Sequence, residues 1–202
     1  QFDSNRFLSL CATLIRRDAV FLQARKPETR AASRHKSATL YNYAVFLKRK
    51  DVEEGATAGK DHYSRNAHKF VAFGLEMLVT SLRRERFNFQ DEEVLAKLNS
   101  MVNIVGEAAY ANESSVLELS LRAIAQIVKV PVSRVDKALP VFIKQIFGII
   151  HQYGSPQSQI VQTAFRTLTA ILRECKQASL SETHLSGLLK LIAPDLEEPA
   201  VQ

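Results

Sequence analysis

Residues 133–172 read SRVDKALPVFIKQIFGIIHQYGSPQSQIVQTAFRTLTAIL, and the apolar spacing within them decides the fold. Val135, Leu139, Phe142, Ile146 and Ile150 recur at intervals of three and four, which lays them along one face of a helix and not on alternating sides of a strand. Tyr153, Gly154, Ser155 and Pro156 then make a stop followed by a start. Glycine tolerates the conformation that ends a helix, serine caps the next one, and proline fits the first helical position. Val161, Phe165, Leu168 and Leu172 supply the second apolar face. Two helices joined by so short a connection lie antiparallel as a hairpin.

The same pattern extends in both directions. Toward the N-terminus, Val71, Leu75, Leu78 and Leu82, flanked by Phe70, Phe73 and Met77, mark one helix. Asp91 caps the next, with Glu92 and Glu93 in the first turn that the helix dipole favours and Val94, Leu98, Met101, Val102 and Val105 on its face. Asn112 is the expected cap for a helix bearing Leu117, Leu121, Ile124 and Val128, which Pro131 stops. Ser133 with Asp136, and Ser179 with Glu182, have capping-box spacing. The last box precedes Leu185, Leu188, Leu189 and Ile192, a run that Pro194 is expected to end. Corresponding starts near Asn112 and Ser155 are 43 positions apart, close to a HEAT or armadillo repeat, whereas the pair beginning near Asp61 gives 51.

The expected fold is therefore all-α, a HEAT/armadillo-like α-solenoid of stacked antiparallel helix pairs, with a compact helical bundle as the competing arrangement. Residues 61–202 hold about three such hairpins. Residues 1–23 form the N-terminal helix of a preceding repeat, around Phe7, Leu8, Leu10, Leu14 and Ile15. Residues 24–60 form a basic connector with one short helix near Leu40 to Leu47, broken by Gly55 and Gly59.

Composition agrees with long helices. The 202 residues include only 7 Gly and 6 Pro, too few turn formers for a β-sandwich, while 46% hydrophobic and 24% charged residues are ordinary values for a globular chain. No apolar run approaches the roughly 20 residues that cross a bilayer, and no charged-then-apolar signal opens the chain, so no membrane partner is expected. Cys11 and Cys175 lie far apart in apolar stretches and make no disulfide framework. A start at Gln1 without methionine reads as an excerpt of something longer.

Charge is uneven. Residues 1–90 carry 17 Lys and Arg against 9 Asp and Glu, whereas residues 91–202 carry 10 against 12. The excess gathers at Arg25, Lys26, Arg30, Arg34 and Lys36, at Lys48, Arg49 and Lys50, and at Arg83, Arg84 and Arg86. Clustered cations displace counterions from phosphates, so these eleven residues are the candidate contacts for nucleic acid or an acidic protein. A solvated linker explains the connector cations equally, and a helix C-terminal dipole explains the three arginines.

The chain has no Gly-rich phosphate loop, no H-E-x-x-H and no G-x-S-x-G. His62 and His68 are six residues apart beside Asp61, too widely spaced for a zinc pair on adjacent helical turns, and His35, His151 and His184 stand alone. Glu92 with Glu93 and Glu197 with Glu198 point about 100° apart on a helix and suit capping or surface contact. No catalytic residue, metal, cofactor or small-molecule substrate is expected.

Several strings carry a resemblance: Asp61 to Asn66 (DHYSRN), Phe70 to Leu78 (FVAFGLEML), Leu82 to Phe87 (LRRERF), Ala138 to Ile146 (ALPVFIKQI) and Pro194 to Pro199 (PDLEEP). In this order they resemble the family of component 20 of the small-subunit processome, from Asp61 to the end and more weakly before it. The resemblance implies a piece of a large nucleolar HEAT-repeat scaffold, associated with U3 small nucleolar RNA and pre-ribosomal RNA and with other processome proteins, and no enzymatic activity. It transfers no site residues, because the strings hold packing and capping positions only. Two other readings compete: a HEAT adaptor of the nuclear transport receptor type that binds protein cargo in its groove, and a helical accessory domain of an enzyme.

Overall fold

The computed structural model describes residues 3–24, 67–155 and 157–197. Among them are seven helices and no strand: α1 (Ser4–Ala24), α2 (Ala67–Arg83), α3 (Glu92–Ala108), α4 (Ser114–Ile127), α5 (Arg134–Tyr153), α6 (Gln159–Glu174) and α7 (Glu182–Glu197). No helix among these residues is long and apolar enough to cross a membrane.

The faces expected for α3, α4 and α5 are buried throughout, as are Val71, Leu75, Leu78 and Leu82 of α2. Several helix starts differ from expectation. Asp91 does cap α3, its Oδ1 accepting from the backbone N–H of Glu93 at 2.9 Å and of Val94 at 3.4 Å. Asn112 caps nothing; α4 starts two residues later after Glu113, which offers no side-chain bond. Ser133 stands at the start of α5 without a capping bond, and Asn99 of α3 takes its place, accepting from the Arg134 N–H at 2.8 Å. After Gly154, at φ 58°, the chain makes one further turn, with the Ser158 N–H on the Ser155 carbonyl at 3.0 Å. Helix α6 therefore begins at Gln159 with Ser158 preceding it. Before α7 the cap is Ser181, whose Oγ accepts from the His184 N–H at 3.3 Å. Helix α7 runs through Pro194 to Glu197, since one missing N–H so near a helix end need not stop the last turn.

Helices α1 to α6 pack on one another in two rows, α1 with α3 and α5, and α2 with α4 and α6. Helix α1 lies against α2 and α3, α3 against α4 and α5, and α5 against α6, while α2 packs on α4 and α4 on α6. Helices α1, α3 and α5 run parallel, as do α4 and α6, as their cross-contacts show. Asn5 Nδ2 of α1 donates to Glu93 Oε2 of α3 at 2.7 Å, and Lys97 Nζ, one turn on, donates to the Asn5 carbonyl and to Ser9 Oγ. Asn99 and Gly106 of α3 meet Arg134 and Gln145 of α5 in the same order. In the other row the Thr167 hydroxyl of α6 sits 3.0 Å from the Leu121 carbonyl of α4, and Cys175 Sγ sits 3.9 Å from the Val128 carbonyl. Starts at residues 67, 114 and 159 are separated by 47 and 45 positions, more even than the 51 and 43 expected.

Close approach explains two glycines. A Cβ on Gly74 of α2 would lie 2.9 Å from Leu14 Cβ and 3.3 Å from the Cys11 carbonyl of α1. One on Gly106 of α3 would lie 3.0 Å from the Phe142 ring of α5. The core is continuous from Leu8 and Ile15 to Ile171 and Cys175, and α7 joins it partly, through Leu188 and a stack of His184 on Phe147 at 4.2 Å. Large apolar side chains stay in solvent at both ends of the rows: Phe73, 57% exposed, with Leu10, and Leu189, 62% exposed, with Leu185.

Candidate interaction surfaces

The C-terminal end of α2 holds three of the eleven cations singled out above, Arg83, Arg84 and Arg86. The chain leaves this helix through a left-handed residue. The Arg86 N–H bonds the Ser81 carbonyl at 3.1 Å and the Glu85 N–H the Leu82 carbonyl at 3.2 Å, with Glu85 at φ 50°. This is the Schellman arrangement, usually completed by glycine. It turns the backbone so that Phe87 returns to the core and packs near Phe7, with ring centroids 6.1 Å apart, while the three arginines and Glu85 remain exposed. No carboxylate among the described residues pairs with any of these arginines. The other eight, Arg25, Lys26, Arg30, Arg34, Lys36, Lys48, Arg49 and Lys50, lie outside the described residues, as does the connector that carries them.

Isolated cations escaped a reading based on charge runs. Lys129 follows the end of α4, and Arg173 and Lys176 flank the end of α6. All three are exposed. Arg173 pairs with Glu174 at 2.9 Å, while Lys129 reaches only the amide oxygen of Gln126, at 3.5 Å. Their spacing along the chain, once compared with helix length, was the available signal.

The opposite edge is different in character. A cleft of about 390 Å³ opens between the end of α3 and the second half of α5, walled by Tyr110, Asn112, Lys144, Gln145, Gln152 and Tyr153. Gln145 is buried and donates from Nε2 to the Gly106 carbonyl at 2.9 Å, so it ties α5 to α3. Burial raises the Tyr110 pKa. Glu107, half-buried on α3, is also raised by burial, against the pull of Arg16.

The two cysteines are core residues. Desolvation pushes the Cys11 thiol up to about 12, and the Cys175 thiol is raised by desolvation and by the charges of Asp136 and Glu174. Both are thus held as thiols at neutral pH, the unreactive form. No group of three or more His, Cys, Asp or Glu among the described residues could hold a metal ion. His68 sits half-buried on α2, and His62 and Asp61 lie outside the described residues.

Among the described residues the fold is all-helical, and charged residues at the ends of several helices are open to solvent. The chain is similar to U3 small nucleolar RNA-associated protein 20 of Schizosaccharomyces pombe, with 22% identity over 179 residues, covering 84% of this chain and 7% of that protein. It thus spans a small fraction of its relative's length. No family model matches the chain, and no solved structure matches it.

Proposed function

We propose that this chain is a non-catalytic segment of a HEAT/armadillo-like α-solenoid that acts as a scaffold in the small-subunit processome. In this reading it supports pre-ribosomal RNA processing and maturation of the small-subunit RNA in the nucleolus. It works through contacts with other processome proteins and with pre-ribosomal or U3 small nucleolar RNA, without cofactor or small-molecule substrate. The observation that carries the reading is the similarity to U3 small nucleolar RNA-associated protein 20. The rows support the solenoid, because helices that recur at 45 and 47 positions and pack chiefly on their neighbours bury their apolar faces by stacking. The apolar side chains left at the two ends of the rows, Leu10 and Phe73, then Leu185 and Leu189, are the seats on which further helix pairs would stack.

The test is association. The tagged chain, expressed in its parent protein, is expected to sediment with pre-ribosomal particles and to co-precipitate U3 small nucleolar RNA, and its depletion to lower mature small-subunit RNA on northern blots. Recovery of transport cargo that survives nuclease, with no U3 RNA, would support the transport-receptor reading instead and overturn this one.

A further inference from the structure

Cations gather at the C-terminal ends of α2, α4 and α6. In this row the Leu121 carbonyl meets Thr167, 46 residues on, and the Val128 carbonyl meets Cys175, 47 residues on. Arg83 to Lys129 is likewise a step of 46, and Lys129 to Lys176 a step of 47. Each cation comes one residue after a buried apolar position: Leu82, Val128 and Cys175 respectively. Arg83 is the last residue of α2, and Lys129 and Lys176 each follow the cap residue of α4 and α6, so a cation stands at the C-terminal end of three successive helices of this row. All three are exposed and none pairs with a carboxylate among the described residues. Arg84, Arg86 and Arg173 flank them. Helices packed side by side lie about 8 to 10 Å apart, so the cations recur at about that interval along the edge.

The helix dipole does not account for this distribution. It favours a cation at every helix C-terminus, yet the other row follows no such rule. Helix α3 has no basic residue in its last turn and α5 has only His151. The carboxylates of the basic edge lie chiefly on the first turns of α3, α5 and α7, in Asp91, Glu92, Glu93, Asp136 and Glu182, where acids serve helix starts. Arg134 and Lys137 share the first turn of α5 with Asp136. Of the acids at the ends of α2 and α6, Glu174 is engaged with Arg173, which leaves Glu85 among three arginines.

We propose that Arg83, Lys129 and Lys176, with the flanking Arg84, Arg86 and Arg173, form one row that holds the phosphate backbone of a single nucleic-acid strand laid across the ends of α2, α4 and α6. Within the scaffold reading that strand is RNA, so the inference deepens that reading. Point cations at regular intervals suit a polymer of regularly spaced phosphates and carry no base specificity.

The experiment measures fluorescence anisotropy of a labelled oligouridine RNA of about 20 nucleotides, and of an oligothymidine of equal length, titrated with the full 202-residue chain at several salt concentrations. Both strands are expected to bind similarly, with log affinity falling linearly as log salt rises. The triple variant Arg83→Gln, Lys129→Gln, Lys176→Gln should bind both about ten-fold or more weakly, with a log–log salt slope smaller by about 2, since each phosphate contact on a single strand contributes about 0.7. Lys144→Gln, in the other row, should leave both quantities unchanged. The single variant Lys129→Glu reads the same slope if the triple variant melts early. An unchanged slope and affinity in these variants, no binding by the native chain, or equal competition by polyglutamate would overturn the row as a phosphate site. Particle association, measured separately, stands or falls independently of that result.

Discussion

At Gly74 α1 and α2 approach closely, and the atoms that a side chain would strike there, Leu14 Cβ and the Cys11 carbonyl, are close to or part of the α1 backbone. Backbone cannot swing away as a long side chain can. Gly74→Ala is therefore expected to cost about 1 to 3 kcal/mol in urea denaturation, even though alanine favours a helix more than glycine does. Glu85 is the reverse case. An L-residue in the left-handed region is disfavoured by about 1 to 2 kcal/mol, and glycine restores about 0.5 to 1 kcal/mol of chain entropy to the unfolded state. Glu85→Gly should consequently raise stability by up to about 1 kcal/mol by the same measurement. Glu107 makes the pH dependence. Its folded pKa lies above the unfolded value because burial disfavours the charge, so between those two values the folded state holds more protons and stability falls as pH rises. Glu107→Gln is expected to raise the melting temperature at pH 7, with the gain shrinking as pH approaches 4; an equal shift at both pH values would refute this account.

At the scale of the element, helix bodies and helix ends were unequally legible. The faces of α3, α4 and α5 were plain because each follows from intervals of three and four within one segment. Asp91 was plain as well, since a side chain that bonds N–H groups two and three residues on needs no distant partner. The cap of α5 was not, because Asn99 lies 35 residues away and only packing of α3 on α5 brings it to Arg134. Asn99→Ala should cost about 1 kcal/mol, whereas Ser133→Ala should cost little. The surfaces divide in the same way. Arg83, Arg84 and Arg86 announce themselves as a run, but Lys129 and Lys176 acquire meaning only from the register of α4 against α6. Phe73 sits at a helical interval from Phe70 and Met77 yet faces solvent, because periodicity names a face without naming what covers it.

For the whole molecule, the core runs continuously through α1 to α6, whereas α7 adds Leu188 and the stack of His184 on Phe147. Amide hydrogen exchange should accordingly be slowest in α3 to α6 and faster in α7. Leu185 and Leu189, 48% and 62% exposed, lie outside the buried core. The double variant Leu185→Gln, Leu189→Gln is expected to change stability by less than about 0.5 kcal/mol while reducing self-association in light scattering, as removal of an exposed apolar patch should. A loss of several kcal/mol would instead show that α7 is part of the cooperative core.

The matched steps of 46 and 47 residues between α4 and α6 bear on how such a chain tolerates change in length. Deleting a single residue inside either helix turns everything beyond it by about 100° and carries Thr167 or Cys175 off its carbonyl. A deletion in the turn at 176–180 leaves both helices phased as before. Evolution is therefore free to lengthen or trim these turns, while the helices between them admit exchange of one side chain for another far more readily than gain or loss of a residue.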